Sequence, residues 1–535
     1  MKQKSNIDLM TNYFQTIIIG SGISGLMTLK HLKERNHHKV LVIEKNSSPF
    51  GVWNIRNHPS VLPETYCVSS KLYMTISDFP MEDGVPEFPH HSDILTYYYQ
   101  YAQKYKLLTH IRYNITVLKA IKKGRLWYIH TNKSVFRTHN LVVATGTVNK
   151  NLNIPKDSIY EKFTGEIYHA DQFKNYRKDL INKRILLVGV SETSCDLALI
   201  LKNNNQVTMS SRNGVWMQSR TLGANSPADM LYNRYSQQCI RCLGKKLYNK
   251  TFFIPFSETF LKMWGHNGHG IPEWETNSDY MSSIWNKNRD ILTYISKGQV
   301  SPQGNIIKIE NKTVTFANRK KQDFDVIIFG TGYKPFGGVD FLEQKYYHHL
   351  YKQIFSYEDP NLYFVGFIRP FVTGIPMISE LQSRWIAQEI DTRNSGLPSR
   401  KKMLKIILSD QQRQYHEFPR YAGRMKTVVN PYDYCDMVAK NIKALPNVWK
   451  LLFTNPKLFN KLEFHSWNHH IYRLNDSDYQ KRKIALDNIN LICDNQTSNH
   501  IVRISIYCII LSTLFYLLIL AVIVLILYFL IKKLR

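Results

Sequence analysis

FQTIIIGSGISGLMTLKHLKERNHHKVLVIE, residues 14–44, is the stretch whose reading decides the fold. The apolar run Phe14–Ile19 reads as a buried strand, and a helix is expected over about residues 24–34. A second strand, Val40–Ile43, then delivers Glu44. Between the first strand and the helix stand Gly20, Gly22 and Gly25 in GxGxxG spacing, with Ser21, Ile23 and Ser24 completing the loop. Each glycine has its own task. Gly20 makes the tight turn, Gly22 lets a pyrophosphate approach the backbone, and Gly25 lets the helix pack on the strand. The helix N-terminus adds unpaired N–H groups for the phosphates. Glu44 accepts from ribose hydroxyls and repels a 2′-phosphate, which favours FAD or NAD over NADP in this βαβ unit.

A second segment has the same pattern, a strand running into a small-residue turn and a helix: RILLVGVSETSCDLALIL, from Arg184. Two nucleotide folds in one chain point to two cofactors. Two more apolar strands, Leu141–Thr147 and Val326–Tyr333, end in similar turns and flank the second unit. The class is therefore α/β with parallel sheets, built as two dinucleotide-binding (Rossmann-like) domains with one inserted in the other. The expected boundaries are residues 14–155 and 326–440 for the outer domain. The inserted domain takes 156–325, a helical connector or cap 441–502, and a membrane anchor 503–535.

The bulk numbers agree with several domains: 535 residues, 44% hydrophobic and 21% charged. The net charge is +29, but Lys and Arg are scattered without a basic run, so nucleic-acid binding is not expected. Seven cysteines imply no disulfide framework, and the single CxxC pair, Cys239 and Cys242, is read as chance, so no metal is expected. Met1–Asn12 is polar and gives no sign of a secretory signal. Ile504–Ile531 is almost wholly apolar and uncharged. As a helix it would be about 42 Å long against a hydrocarbon core of about 30 Å, so a C-terminal membrane helix is expected. Lys532, Lys533 and Arg535 follow it and have the form of a dilysine retrieval signal.

Further motifs make the pattern specific. Gly51-Val52-Trp53 resembles a GG-x-W segment. Ser77-Asp78-Phe79-Pro80 with Phe88–His91 resembles DFP…H, and Phe163-x-Gly165-x-x-x-His169-x-x-x-Phe173 matches FxGxxxHxxx[YF]. Val326–Tyr333 resembles an ATGY strand and Pro376–Trp385 a late helix. In this order, over about residues 14–440, the chain resembles the flavin-containing monooxygenases of the animal microsomal type. The resemblance implies FAD on Gly20–Gly25, Glu44, Val52, Trp53, Val68 and Ser69. It implies NADPH on Gly189, Thr193, Ser194, Cys195 and Asp196, with Arg212 beyond the next strand placed for the 2′-phosphate. His169 is read as either a hinge residue or a structural histidine. Endoplasmic reticulum membranes are the implied location.

The resemblance also exposes departures. The family's GxGNSG is Gly189-Val190-Ser191-Glu192-Thr193-Ser194 here. Ser191 brings a Cβ where glycine stood, and Glu192 brings negative charge beside a phosphate site. The first of the paired glycines before Trp53 is Phe50. A flavin-side asparagine that supports oxygenation in the family is Val68, which has no hydrogen-bonding group. Either Ser69 substitutes for it or peroxide leaks.

The implied activity is FAD- and NADPH-dependent oxygenation of soft nucleophilic nitrogen or sulfur in small molecules, by O₂ through a flavin hydroperoxide. An uncoupled NADPH oxidase, a non-catalytic FAD-binding membrane protein and Baeyer–Villiger oxygenation stand as alternatives. Substrate and oligomeric state are not legible.

Overall fold

The computed structural model describes residues 12–56, 61–148, 151–173, 180–222, 226–243, 265–267, 271–278, 283–288, 290–334, 336–419, 427–494, 517 and 521–529. Two sheets organise them. The first grows from β1 (Tyr13–Ile19), whose chain continues through α1 (Ile23–Glu34) to β2 (Val40–Ile43). The short helix α2 (Lys71–Met74) and the longer α3 (His91–Lys104) follow. Then come β3 (Ile111–Arg112), the hairpin β4 (Val117–Lys123) and β5 (Leu126–Thr131), and β6 (Val135–Val143). β1 lies between β2 and β6, parallel to both. Ile17, Ile18, Val42, Leu141, Val142 and Val143 are fully buried, as strands covered on both faces must be.

The second sheet contains β7 (Glu166–His169), then β8 (Arg184–Val188), which leads through α4 (Glu192–Leu201) to β9 (Gln206–Ser210). β10 (Val300–Gln303) and β11 (Val326–Phe329) complete it in the order β10-β9-β8-β11-β7, all parallel. The chain then returns to the first sheet as β12 (Leu350–Tyr351), β13 (Phe355–Ser356) and β14 (Leu362–Phe364), the last beside β6. α5 (Ile375–Asp391) lies against α1, with Ser24 Oγ 2.9 Å from Ser379 Oγ and Thr28 Oγ1 2.9 Å from Ser383 Oγ.

Two expectations are corrected here. Val326–Phe329 was assigned to the returning part of the outer domain, but β11 pairs with β7 and β8 in the inserted sheet. Four consecutive buried apolar residues suit either parallel sheet, and only the pairing partner decides. The first sheet is also mixed: β4–β5 and β12–β13–β14 pair antiparallel. The two crossings between the sheets run side by side. Asn153 N–H donates to Gly332 O at 2.8 Å and Lys334 N–H to Asn151 O at 2.9 Å.

The segment expected as a connector is part of the first core. Besides the helices Val448–Thr454, Pro456–Phe464 and Tyr479–Asp494, it places Trp467, Ile471, Tyr472, Ile489 and Cys493 in the same buried cluster as β1 and α1. A buried ionic knot fixes it. Arg473 Nη2 lies 3.0 Å from Asp78 Oδ2 and 2.6 Å from Glu380 Oε1, and Arg473 Nε donates to Ser77 Oγ at 2.7 Å. Lys30 of α1 pairs with Asp78 as well. Lys30, Arg473, Asp78 and Glu380 are all nearly inaccessible to solvent.

The expected membrane helix falls largely outside the described residues. Residues 521–529 are helical, with exposed apolar side chains such as Val522 and Phe529. Among the described residues no helix is long and apolar enough to cross a membrane. Cys239 and Cys242 lie in the helix Arg234–Leu243, but their side chains are outside the described set.

Arg473→Ala removes one cation and leaves two buried carboxylates short of a partner. It is expected to destabilise the fold by about 3–5 kcal/mol, read as a fall in the urea midpoint of the full chain.

Candidate functional site

The first loop leaves the carboxyl end of β1. Gly20 has φ +105°, and a Cβ there would stand 2.5 Å from Ala144 O at the end of β6. A Cβ on Gly25 would stand 2.1 Å from Gly20 O, whereas nothing lies within 4 Å of one on Gly22. Two glycines are thus required by protein contacts, and the third opens a space. Ser21 is buried and holds Glu44: its N–H and Oγ–H donate to Glu44 Oε2 at 3.0 and 2.7 Å. Asn46 N–H donates to Glu44 Oε1 at 2.9 Å. A carboxylate has about four acceptor positions, so Glu44 keeps one for a ribose hydroxyl. Ile23 packs into the core and Ser24 against α5.

The 3₁₀ turn Gly51–Trp53 crosses this loop. Phe50 N–H donates to Ser21 O at 3.0 Å, and Val52 and Trp53 are half-buried beside it. Phe50 adopts φ +81°, a left-handed conformation that costs a bulky residue about 1–2 kcal/mol. Its buried ring, edge-on to Tyr99, offsets that cost.

Val68 is half-buried, and Ser69 and Ser70 are buried. This turn is held from a distant part of the chain. Ser70 N–H donates to Asp229 Oδ2 at 2.8 Å, and Asp229 sits in the 3₁₀ turn Ala228–Leu231 beyond the second nucleotide unit. Burial pushes the Asp229 carboxyl up. No local pattern in the sequence pointed to Asp229, because its partner is 159 residues away.

The second loop follows the first with serine at two of the three glycine positions, Ser191 and Ser194. Gly189 has φ +103°, and a Cβ on it would stand 3.1 Å from Gly330 O at the end of β11. Ser191 is the N-cap of α4: its Oγ accepts from Ser194 N–H at 3.2 Å and lies 3.0 Å from Ser194 Oγ. The serine expected only to narrow the loop therefore also caps its helix. Thr193 is half-buried. Ser194 is buried beneath Gly330, where a Cβ would meet its Oγ. Cys195 is fully buried in the second core with Asn286 Nδ2 3.3 Å from its Sγ. The thiol points inward, because that face of α4 packs into the second core. Asp196 Oδ1 accepts from Asn288 Nδ2–H at 2.6 Å.

Glu192 does not stand free beside the loop. Its Oε1 accepts the Lys287 N–H at 2.6 Å. Burial pushes its carboxyl up to about 7 and that of Asp196 up to about 6. Arg212 is exposed after β9, one residue beyond Ser211, which takes the position that Glu44 occupies after β2. It lines a cleft of about 840 Å³ with Ser211, Asn213, Gly304 and Asn318. His169 Nδ1 accepts from Asp171 N–H at 3.1 Å, and its Nε2–H donates to Gly332 O at 3.1 Å. Burial lowers its pKa, so it is a neutral tie between the end of β7 and the returning crossing at Gly332. Among the described residues no group of His, Cys, Asp or Glu is placed to hold a metal.

Comparison with known proteins agrees with this geometry. The family model described as flavin-binding monooxygenase-like matches residues 14–533. Flavin-containing monooxygenase 5 of Homo sapiens is 29% identical over 472 residues, covering 82% of this chain and 85% of that protein. Dimethylaniline monooxygenase [N-oxide-forming] 2 of Cavia porcellus is 29% identical over 483 residues, covering 85% and 88%. Among solved structures, cyclohexanone monooxygenase from Rhodococcus sp. Phi1 bound to NADP+ shares the fold with a TM-score of 0.57 at 16% identity, over 81% of this chain and 98% of that one.

Gly25→Ala is expected to cost about 3 kcal/mol or more, because its methyl overlaps a backbone carbonyl. Gly22→Ala, at φ −64° with open space around it, is expected to keep the thermal midpoint within about 1 kcal/mol of wild type yet lose bound dinucleotide. Thermal melts alongside the absorbance of retained flavin distinguish the two.

Proposed function

The chain belongs to the flavin-binding monooxygenase-like family, and from that premise we propose that it uses FAD, NADPH and O₂ to oxygenate soft nucleophilic nitrogen or sulfur centres of small molecules. The observation that carries this is the opposite charge just past the second strand of two βαβ units: Glu44 directly after β2, and Arg212 one residue beyond Ser211, which takes the matching place after β9. An acid there suits a ribose with free hydroxyls, and an arginine suits a 2′-phosphate. On this reading the FAD unit takes residues 14–155 and the stretch from 330 to 440, and the NADP unit takes 156–329.

When bound, the dinucleotide and the flavin together supply the hydride and the activation of O₂. The protein's own residues bind, orient and exclude water. The space over Gly22 receives the FAD pyrophosphate, Glu44 accepts from the ribose, and Gly51–Trp53 closes over the loop. Gly189, with the backbone of Thr193, Ser194, Cys195 and Asp196, receives the NADPH pyrophosphate. Val68 and Ser69 face the flavin edge. Val68 donates nothing there, so it favours a second reading, an NADPH oxidase that releases peroxide. Ser69 and Ser70 are the nearby groups able to hydrogen-bond.

The apolar tail, Ile504–Ile531, is proposed as a membrane anchor and the endoplasmic reticulum as its site. The exposed apolar side chains of residues 521–529 support this.

The full chain, purified in detergent with FAD, is expected to consume NADPH and O₂ in step with product from a tertiary amine or a thioether. Peroxide without product favours the second reading, product from a ketone alone favours Baeyer–Villiger chemistry, and no NADPH oxidation overturns all three. Arg212→Ala is expected to raise KM for NADPH about 10- to 100-fold, the loss of a charge-assisted pair, with little change for NADH. Alkaline carbonate extraction of membranes is expected to leave the full chain in the pellet and to release a chain ending at residue 500.

A further inference from the structure

The helices Val448–Thr454 and Pro456–Phe464 meet at a tight corner. Asn447 Oδ1 caps the first by accepting from Lys450 N–H at 3.1 Å. Asn455 Oδ1 caps the second by accepting from Leu458 N–H at 3.1 Å, and Pro456 opens that helix. Inward, Val448, Phe459 and Leu462 are buried in the first core. Outward, Trp449, Leu452 and Phe453 are 59%, 37% and 85% exposed. Their spacing of three and four residues puts them on one face of the helix. Exposed apolar side chains scattered singly are ordinary, but two aromatic rings and a leucine on one turn form a patch. Trp449 is also held in place, its ring 5.8 Å from that of Phe459.

Two observations bear on what covers this face. The first is charge. From Met437 to Leu462 the chain carries five lysines, Lys440, Lys443, Lys450, Lys457 and Lys461, and no aspartate or glutamate. Lys450 and Lys457 are exposed on the corner itself. Such a surface is attracted to an anionic one. The second is chain length. Lys461, two residues after Phe459, pairs through its Nζ with Asp494 Oδ1 at 2.8 Å. Asp494 ends the helix Tyr479–Asp494, so the corner packs beside the point where the chain leaves for its apolar tail. Ile504, the start of that tail, stands ten residues after Asp494, a reach of at most about 35 Å. With the tail in a bilayer, the corner stays close to the bilayer surface.

We propose that Trp449, Leu452 and Phe453 make a second membrane contact, in which the corner enters the headgroup region of an anionic bilayer and Lys450 and Lys457 meet lipid phosphates. The tail anchors the chain, and the corner fixes how the nucleotide-binding body sits on the surface. Aromatic side chains suit that depth, and tryptophan adds an N–H for polar headgroups. A second copy of this chain fits the face poorly, because it brings the same lysines. The proposal rests on the reading of the tail as a membrane anchor.

The test uses the full chain in lipid discs of phosphatidylcholine and phosphatidylserine, with and without bromine on the acyl chains. Subtracting the emission of Trp449→Phe isolates the signal of Trp449. Brominated lipid is expected to lower that signal about twofold or more, because an interfacial helix buries its apolar face about 5–10 Å into the headgroup and acyl boundary. Aqueous iodide is expected to leave it nearly unchanged. A signal open to iodide and indifferent to bromine overturns the proposal while the tail still holds the chain in the disc. A signal closed to both places a protein surface on this face, a second copy included, and overturns it as well. Release of the full chain from membranes by alkaline carbonate overturns the anchor reading and this proposal together.

Discussion

Gly25 lies so close beneath Gly20 that a methyl group on it would sit 2.1 Å from the Gly20 carbonyl oxygen. Only hydrogen fits there, and that lets α1 settle onto the end of β1. Much else follows from this approach. The N–H groups at the start of α1 aim over the carboxyl end of the sheet, where a dinucleotide is received. Ser21 is held where it can donate twice to Glu44, so the acid at the end of β2 is fixed by the loop it serves. The far side of α1 is then free to meet α5 through paired hydroxyls.

The same helix carries Lys30 into the buried knot with Asp78, Glu380 and Arg473. Balanced and hydrogen-bonded, such a knot adds little stability over an apolar core, but removing one member is costly. Its value is positional. It joins the helix of the first βαβ unit, the segment after the Val68–Ser70 turn, the late helix α5 and the 3₁₀ turn His469–Arg473. Those four pieces come from four distant parts of the chain, and none of them could be set by local pairing. The region around Val68–Ser70 is braced from the other side by Asp229, so both halves of the molecule hold it.

The second loop shows how a departure from a family pattern is accommodated. Ser191 turns its side chain to capping, and Glu192 turns part of its carboxyl to the Lys287 backbone. Each added side chain finds a partner within the protein instead of projecting into the phosphate space. Phe50 follows the same rule at the first loop, where a strained backbone is offset by burying a large ring.

The sequence by itself determined the two βαβ units, their glycines, Glu44, the late helix and the class of fold. These are written in local spacing and apolar periodicity, which report directly on strand, turn and helix. It also marked Val68, Ser191 and Glu192 as places where side-chain chemistry departs from the family. It did not place β11, because a short apolar strand carries no label for its sheet. It read residues 441–502 as a helical connector or cap without showing how deeply they enter the first core, because Trp467 and Arg473 find partners such as Tyr73 and Asp78 hundreds of residues away. It did not tell that the helix face turns the Cys195 thiol into the core. Tertiary structure alone decided those points, since burial and pairing depend on which distant residues arrive at the same place.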